Sequence, residues 1–167
     1  NALIFYQPRS DVRFPILLLK YYSRAEIGIQ LGRLMAADLR DTDFFDGVDA
    51  VVPVPLSAVR KRRRGYNQSE KLCRGIAEAT NLPVWTDVLK RVVDNATQTC
   101  LTYEQRVGNV EGIFRCTAPE KVRNKHLLLV DDVITTGSTL KSCIGTLTHA
   151  GDETYSILAF GITASPV

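Results

Sequence analysis

Residues 127–130, Leu-Leu-Leu-Val, carry no polar side-chain atom, and the chain passes from them directly into Asp131 and Asp132. Thr135, Thr136, Gly137, Ser138 and Thr139 follow, and then a segment at 140–150 patterned as a helix, with Gly151 as its C-terminal stop. A strand that is apolar at every position has to be buried on both faces, which is the environment of a parallel sheet covered by helices. The helical segment behind it is then the crossover of a βαβ unit. In sheets of this kind ligands bind beyond the C-terminal ends of the strands, so the two acids and five turn residues stand where chemistry is expected.

The residue types at that edge narrow the ligand. Unpaired backbone N–H groups and the positive dipole end at a helix N-terminus favour a phosphate. The hydroxyls of Thr135, Thr136, Ser138 and Thr139 add donors, and Gly137 allows a positive φ and a close approach to an anion. Two carboxylates beside a phosphate cup would repel it unless they face something else. A vicinal diol or a magnesium ion would serve, because carboxylates accept from sugar hydroxyls and bind hard cations through oxygen. The ligand indicated is a phosphorylated sugar. Asp, Thr and Ser are also ordinary turn and capping residues; it is the whole ordered set that goes beyond a plain strand-turn-helix.

The rest of the chain agrees with one α/β domain. Residues 24–39 carry Ile27, Leu31, Leu34, Met35 and Leu39 at helical spacing. The β-branched run at 48–54 reads as a buried strand stopped by its prolines, and the stretch after it as a charged loop. A second helix starts after Asn67 or Ser69 as N-cap, with Leu72, Cys73, Ile76 and Ala77 as its apolar stripe, and ends near Asn-Leu-Pro at 81–83. Residues 83–89 and 112–116 read as short strands joined by a long polar connection, and 154–162 as the last strand. Neither an internal repeat nor a low-complexity tract interrupts the 167 residues.

Several classes of function lack support. The longest apolar runs fall far short of the roughly 20 residues that cross a bilayer, and no signal segment opens the chain, so a cytoplasmic protein without membrane insertion is expected. Cys73, Cys100, Cys116 and Cys143 are scattered, without a C-x-x-C pair, and read as small core or surface thiols; no zinc is expected in this chain. The phosphate loop of nucleotide hydrolases and the dinucleotide G-x-G-x-x-G are both missing. His126 and His149 have no nucleophile or carboxylate context in the sequence and do not read as catalytic.

The net charge of +3 hides one concentration: Arg60, Lys61, Arg62, Arg63 and Arg64 are consecutive, and without them the chain would stand at −2. Three readings compete for this run. It can contact the phosphates of the same ligand, track the backbone of single-stranded DNA with Tyr66 as a stacking face, or be a solvated loop. A phosphate cup on the same face of the sheet favours the first.

Residues 127–139, LLLVDDVITTGST, resemble the 13-residue signature of type I phosphoribosyltransferases, the loop that holds the ribose and 5′-phosphate of 5-phosphoribosyl 1-pyrophosphate (PRPP). With VVPVPLSAVRKRRRGYNQSEKLCRGIA at 51–77 and QTCLTYEQRVGNVEGIF at 98–114, the chain is similar to one branch in particular, the ComF/GntX-like proteins named for bacterial DNA-uptake competence, and the likeness runs from about residue 5 to 162. The resemblance implies a twisted, mainly parallel sheet flanked by helices in a single domain. A small hood subdomain would come from about residues 1–23 and 91–115. It implies ribose contacts by Asp131 and Asp132, directly or through Mg²⁺, with Asp132 also counted as catalytic. The 5′-phosphate would sit on Thr135, Thr136, Gly137, Ser138 and Thr139. Leu56 and Ser57 fall at the pyrophosphate-binding position. Residues 62–68 would form a mobile loop closing over the pyrophosphate, with Arg63 and Arg64 stabilising the leaving group and Gly65 giving the loop its freedom.

Related proteins commonly carry a cysteine-rich N-terminal zinc ribbon, and the sequence from Asn1 holds none: either it has been removed or this member does without it. No residue set identifies the acceptor: Phe5, Tyr6, Tyr21, Tyr22 and Tyr103 are candidates for a base platform, and Lys20, Arg106 and Asn109 match family positions without a defined role. The expectation is a Mg²⁺-dependent transferase moving the phosphoribosyl group to an unknown acceptor. The alternative is a non-catalytic accessory protein of DNA uptake or a nucleotide sensor, binding single-stranded DNA, PRPP or competence proteins.

Overall fold

In this computed structural model the described residues are 2–4, 24–93, 112–151 and 154–162. The candidates Phe5, Tyr6, Lys20, Tyr21, Tyr22, Cys100, Tyr103, Arg106 and Asn109 lie outside them. The elements in chain order are β1 (Ala2–Ile4), α1 (Ala25–Asp38), β2 (Ala50–Pro53), α2 (Ala58–Arg64), α3 (Gln68–Thr80), β3 (Leu89–Arg91), β4 (Phe114–Cys116), α4 (Pro119–Val122), β5 (His126–Ile134), α5 (Ser138–His149) and β6 (Thr154–Ile162).

Four strands form a parallel sheet in the order β1-β6-β5-β2, so the Leu-Leu-Leu-Val strand is internal. β2 pairs residue for residue with the apolar half of β5, from Ala50 beside Leu127 to Pro53 beside Val130. The side chains of β5 alternate between two cores. Leu128 and Val130 pack with Val51 against Leu31 and Met35 of α1 and Leu72, Cys73 and Ile76 of α3. Leu127 and Leu129 pack with Ala50 and Val52 against Leu140, Cys143 and Leu147 of α5. Burial on both faces is the reason this segment is apolar at every position. Burial pushes the thiols of Cys73 and Cys143 up, which keeps them protonated and unreactive.

The α1–α3 contact is closed by glycines. A Cβ on Gly32 would lie 2.1 Å from the Leu72 carbonyl oxygen, and one on Gly75 would lie 2.0 Å from the Ile29 carbonyl oxygen. Both obstacles are backbone atoms, which cannot rotate out of the way. The two helices therefore touch backbone to backbone, and this brings the N-terminus of α3 down onto the sheet edge.

At the other end of β5, the Asp49 carboxylate accepts from the His126 backbone N–H at 2.8 Å and from Lys125 Nζ at 2.9 Å. The His126 N–H first and Lys125 second hold the Asp49 carboxyl below its usual value. A depressed carboxyl contributes stability that is complete above the unfolded-state value of 3.8 and is lost as pH falls through the lower, folded-state value. Thermal melts of the parent and Asp49→Asn are therefore expected to differ by a constant amount at neutral and weakly acidic pH and to converge below pH 3.8. A gap that survives unchanged at about pH 2 would refute this assignment.

The local structure departs from the sequence reading in several places. Residues 58–64, read as part of a charged loop, form the helix α2, and residues 62–68, read as a mobile loop, contain its last turn, its stop and the start of α3. Gly65, with φ of 81°, terminates α2, and its N–H bonds to the Lys61 carbonyl. The strand expected at 83–89 is split. Val84 makes one parallel bridge to Val51, and a two-stranded antiparallel ladder then pairs β3 with β4, Leu89 opposite Cys116. β5 is also longer than its apolar half, so the two acids lie inside the strand. Among the described residues no helix is long and apolar enough to cross a membrane.

Candidate functional site

β5 carries Asp131 and Asp132 to the C-terminal edge of the sheet, beside the exit of β2. A cleft of about 220 Å³ opens there. On one side it is lined by Asp131, Asp132, Thr135 and Thr139, and on the other by Leu56, Arg60, Arg64, Gln68 and Ser69, with Arg91 of β3 at its rim. A smaller hollow of about 20 Å³ lies beneath residues 133–140 and includes Gly137.

The acids are held by local hydrogen bonds. Asp131 Oδ1 accepts from the Asp132 backbone N–H at 2.8 Å and from Ser69 Oγ at 3.1 Å, and Asp132 Oδ1 accepts from the Val133 N–H at 2.7 Å. Ser69 is buried, so its hydroxyl ties the first turn of α3 to the carboxylate. Asn67 sets that turn. Its Oδ1 accepts from the Ser69 N–H at 3.2 Å, and its Nδ2 donates to the Val54 carbonyl at 2.9 Å, anchoring the cap to the end of β2.

Gly137 adopts φ of 73° and, as N-cap of α5, brings no side chain to the helix; Thr136 Oγ1 accepts from the Ser138 N–H at 3.4 Å, and the N–H groups of the next positions in the first turn face the loop. Thr136 and Ser138 share a hydroxyl–hydroxyl bond at 2.7 Å above it. The positive φ expected from the sequence at this glycine is present.

α2 sorts the basic run. Ser57 is its N-cap, accepting from the Arg60 N–H at 3.3 Å, and is not part of the cleft wall. Arg60 and Arg64, one turn apart, line the cleft, whereas Lys61, Arg62 and Arg63 are exposed and do not. Gly65 and Tyr66 also lie outside the lining. The Tyr66 ring stands beside Lys71, with 6.0 Å from ring centre to Nζ, and burial, then Glu26, raises its phenol pKa. His126 bonds to Ser156 Oγ at 2.9 Å and His149 to the Gly145 carbonyl at 2.6 Å, both away from the cleft.

Sequence reasoning missed Arg91 and Ser69 as cleft residues, and placed Asn67 and Gln68 there only as the end of a loop closing over the pyrophosphate. The signals for α3 were legible: Asn67 was one of two N-cap candidates, and a helix starting there must present its first turn to the sheet edge. Nothing local marks Arg91. Its guanidinium lies 5.5 Å from the Phe114 ring on β4 and its Nε donates to the Val93 carbonyl at 3.1 Å, contacts set by the β3–β4 pairing.

The two acids fit a hard cation of the kind that keeps most of its waters. Among the described residues no third acid, histidine or cysteine joins them in a metal-sized cluster. Mg²⁺ is commonly held by one or two carboxylates together with the ligand's phosphates, and Asp131 and Asp132 could supply that share.

Comparison with known proteins identifies the family. The phosphoribosyl transferase domain matches residues 27–154. The DNA utilization protein YhgH of Salmonella typhi is 34% identical over 155 residues, covering 89% of this chain and 67% of that protein. Competence protein F of Haemophilus influenzae is 32% identical over 142 residues, covering 83% of this chain and 62% of its own length. Among solved structures, the glutamine PRPP amidotransferase from B. subtilis complexed with ADP and GMP superimposes with a TM-score of 0.59 at 21% identity. That superposition covers 86% of this chain and only 30% of the enzyme, so it speaks for the fold. The parallel sheet flanked by helices agrees with these matches, and the chain belongs to the phosphoribosyl transferase domain family, in its ComF-like type I branch.

Proposed function

We propose that the chain is a cytoplasmic PRPP-binding protein that transfers the 5-phosphoribosyl group to an acceptor still to be identified. The observation that carries this reading is the convergence in one cleft of an acid pair, the guanidinium groups of Arg60, Arg64 and Arg91, and the start of α5 at Thr139. Each wall suits a different part of PRPP. Asp131 and Asp132 accept from the ribose hydroxyls. The first turn of α5 with Thr135, Thr136, Gly137, Ser138 and Thr139 takes the 5′-phosphate. Arg60 and Arg64 face the pyrophosphate, where guanidinium forks stabilise the charge that builds up on the departing group. Arg63, exposed on α2, is left out of this work, and Arg60 takes the place first given to it. Bound Mg²⁺ would neutralise phosphate charge and assist departure of the pyrophosphate.

Titration of PRPP with and without Mg²⁺, followed by pyrophosphate release with a panel of bases, tests both parts. Saturable binding with release supports a transferase. Binding without release with any base would remove the enzymatic half and leave a sensor, and no binding would end the reading.

A second reading rests on the outer face of α2. Lys61, Arg62 and Arg63 are exposed there, and the named relatives are a DNA utilization protein and a competence protein. Affinity for single-stranded DNA that falls steeply with salt, and less steeply in Arg62→Ala/Arg63→Ala, would support it; a salt-independent affinity would exclude phosphate tracking.

A further inference from the structure

The first turn of α3 holds three polar side chains against the cleft, and two of them are committed. Asn67 caps the helix and bonds to β2, and Ser69 bonds to Asp131. Gln68 is 1% exposed, and its Nε2 is, among the described residues, the buried side-chain nitrogen or oxygen without a hydrogen-bond partner. A buried donor left unmade is a standing cost to the fold, since it has lost its water and gained nothing in return. Gln68 nevertheless lines the cleft, on the wall shared with Arg60 and Arg64 and across from Asp131 and Asp132.

The neighbours define what would satisfy it. The guanidinium groups of Arg60 and Arg64, with that of Arg91 also in the cleft lining, only donate, and the positive end of a 13-residue helix lies beside them. A carboxamide N–H₂ in that company calls for an acceptor rich in oxygen and negative charge. A sugar hydroxyl would leave the cations unmatched, and a diphosphate matches all of them.

We propose that the Gln68 carboxamide is a ligand-contacting group of this cleft, donating to a diphosphate oxygen together with Arg60 and Arg64. This deepens the reading of the cleft as a PRPP site and rests on it. The ligand then supplies the acceptor that the protein withholds, so the donor rewards only the occupied state.

Gln68→Leu removes the donor at nearly constant volume and is the discriminating variant, with Gln68→Met, unbranched at the same length, as its companion. The probes are PRPP, pyrophosphate and ribose 5-phosphate, each with Mg²⁺, measured by calorimetry beside thermal melts. The expected result is a melting temperature at or above the parent's, affinity for PRPP and pyrophosphate lower by about 10-fold to 100-fold, and affinity for ribose 5-phosphate unchanged. A purely structural glutamine would not give that split. Equal affinity of parent and variant for PRPP and pyrophosphate overturns the role of Gln68 while leaving the PRPP site standing. So does a uniform loss of all three ligands with a lowered melting temperature in both variants. A parent that binds none of the probes removes the PRPP reading and this inference with it.

Discussion

Asp132→Asn is expected to bind PRPP about 10-fold to 100-fold more weakly than the parent and to melt at nearly the same temperature. Asp132 Oδ1 accepts from the Val133 N–H at 2.7 Å, and the asparagine oxygen can keep that bond, so the strand end holds its shape. What the substitution removes is the negative charge. Hydrogen bonds to a charged group are worth about 1.5–3 kcal/mol, against about 1 kcal/mol for neutral pairs, and the loss falls on the ribose hydroxyls and on any Mg²⁺ held with them. Calorimetric titration with PRPP and Mg²⁺ measures it. Unchanged affinity would mean that the carboxylate does not face the sugar, and a large drop in melting temperature would mean that it serves the fold.

Gly75→Ala is expected to be strongly destabilising although it adds a single methyl group. The new Cβ would meet the Ile29 carbonyl oxygen at 2.0 Å and the Arg33 nitrogen at 2.8 Å, both on the backbone of α1. Relief requires the two helices to separate. The loss of packing between α1 and α3 is set at about 3 kcal/mol, the upper part of the usual range for overpacked cores. That outweighs the gain in helix propensity of about 1 kcal/mol that alanine brings over glycine. Gly32→Ala meets the Leu72 carbonyl at 2.1 Å and is expected to cost a similar amount. Because one separation relieves both clashes, the double variant should lose much less than the two added together. Denaturant unfolding checks each value, and Gly75→Ala as stable as the parent would refute the close crossing. The same separation would pull Ser69 away from Asp131, so ligand affinity should fall with stability.

Much of this arrangement was legible because the signals were local. The apolar run of β5, the positive φ of Gly137 and the stripe of α3 each follow from spacing within a dozen residues. Where two signals competed, the reading failed. Five adjacent cations look like a solvated loop, yet Arg and Lys are good helix formers, and Ser57 and Gly65 supply the cap and the stop at the two ends of α2. Reading those flanks first would have given the helix, and the helix would have separated Arg60 and Arg64 from Arg62 and Arg63. Other features were not in the local sequence at all. The place of Arg91 depends on the pairing of β3 with β4, and the unmet donor of Gln68 depends on how α3 lands on the sheet. Both are products of distant contacts, which spacing along the chain does not encode.

The two walls of the cleft differ in how they are mounted. β5 is clamped between neighbouring strands and two helix layers, whereas α2 keeps no side chain in the core and is fastened by a serine at one end and a glycine at the other. Amide protons of α2 should therefore exchange with solvent orders of magnitude faster than those of residues 127–130, because opening a surface turn costs little compared with breaching the interior. If the cleft takes the ligand proposed above, the carboxylates meet it as a fixed template and the guanidinium groups close on it as the yielding jaw, so variants that loosen α2 should change the rates of capture and escape more than the stability of the fold.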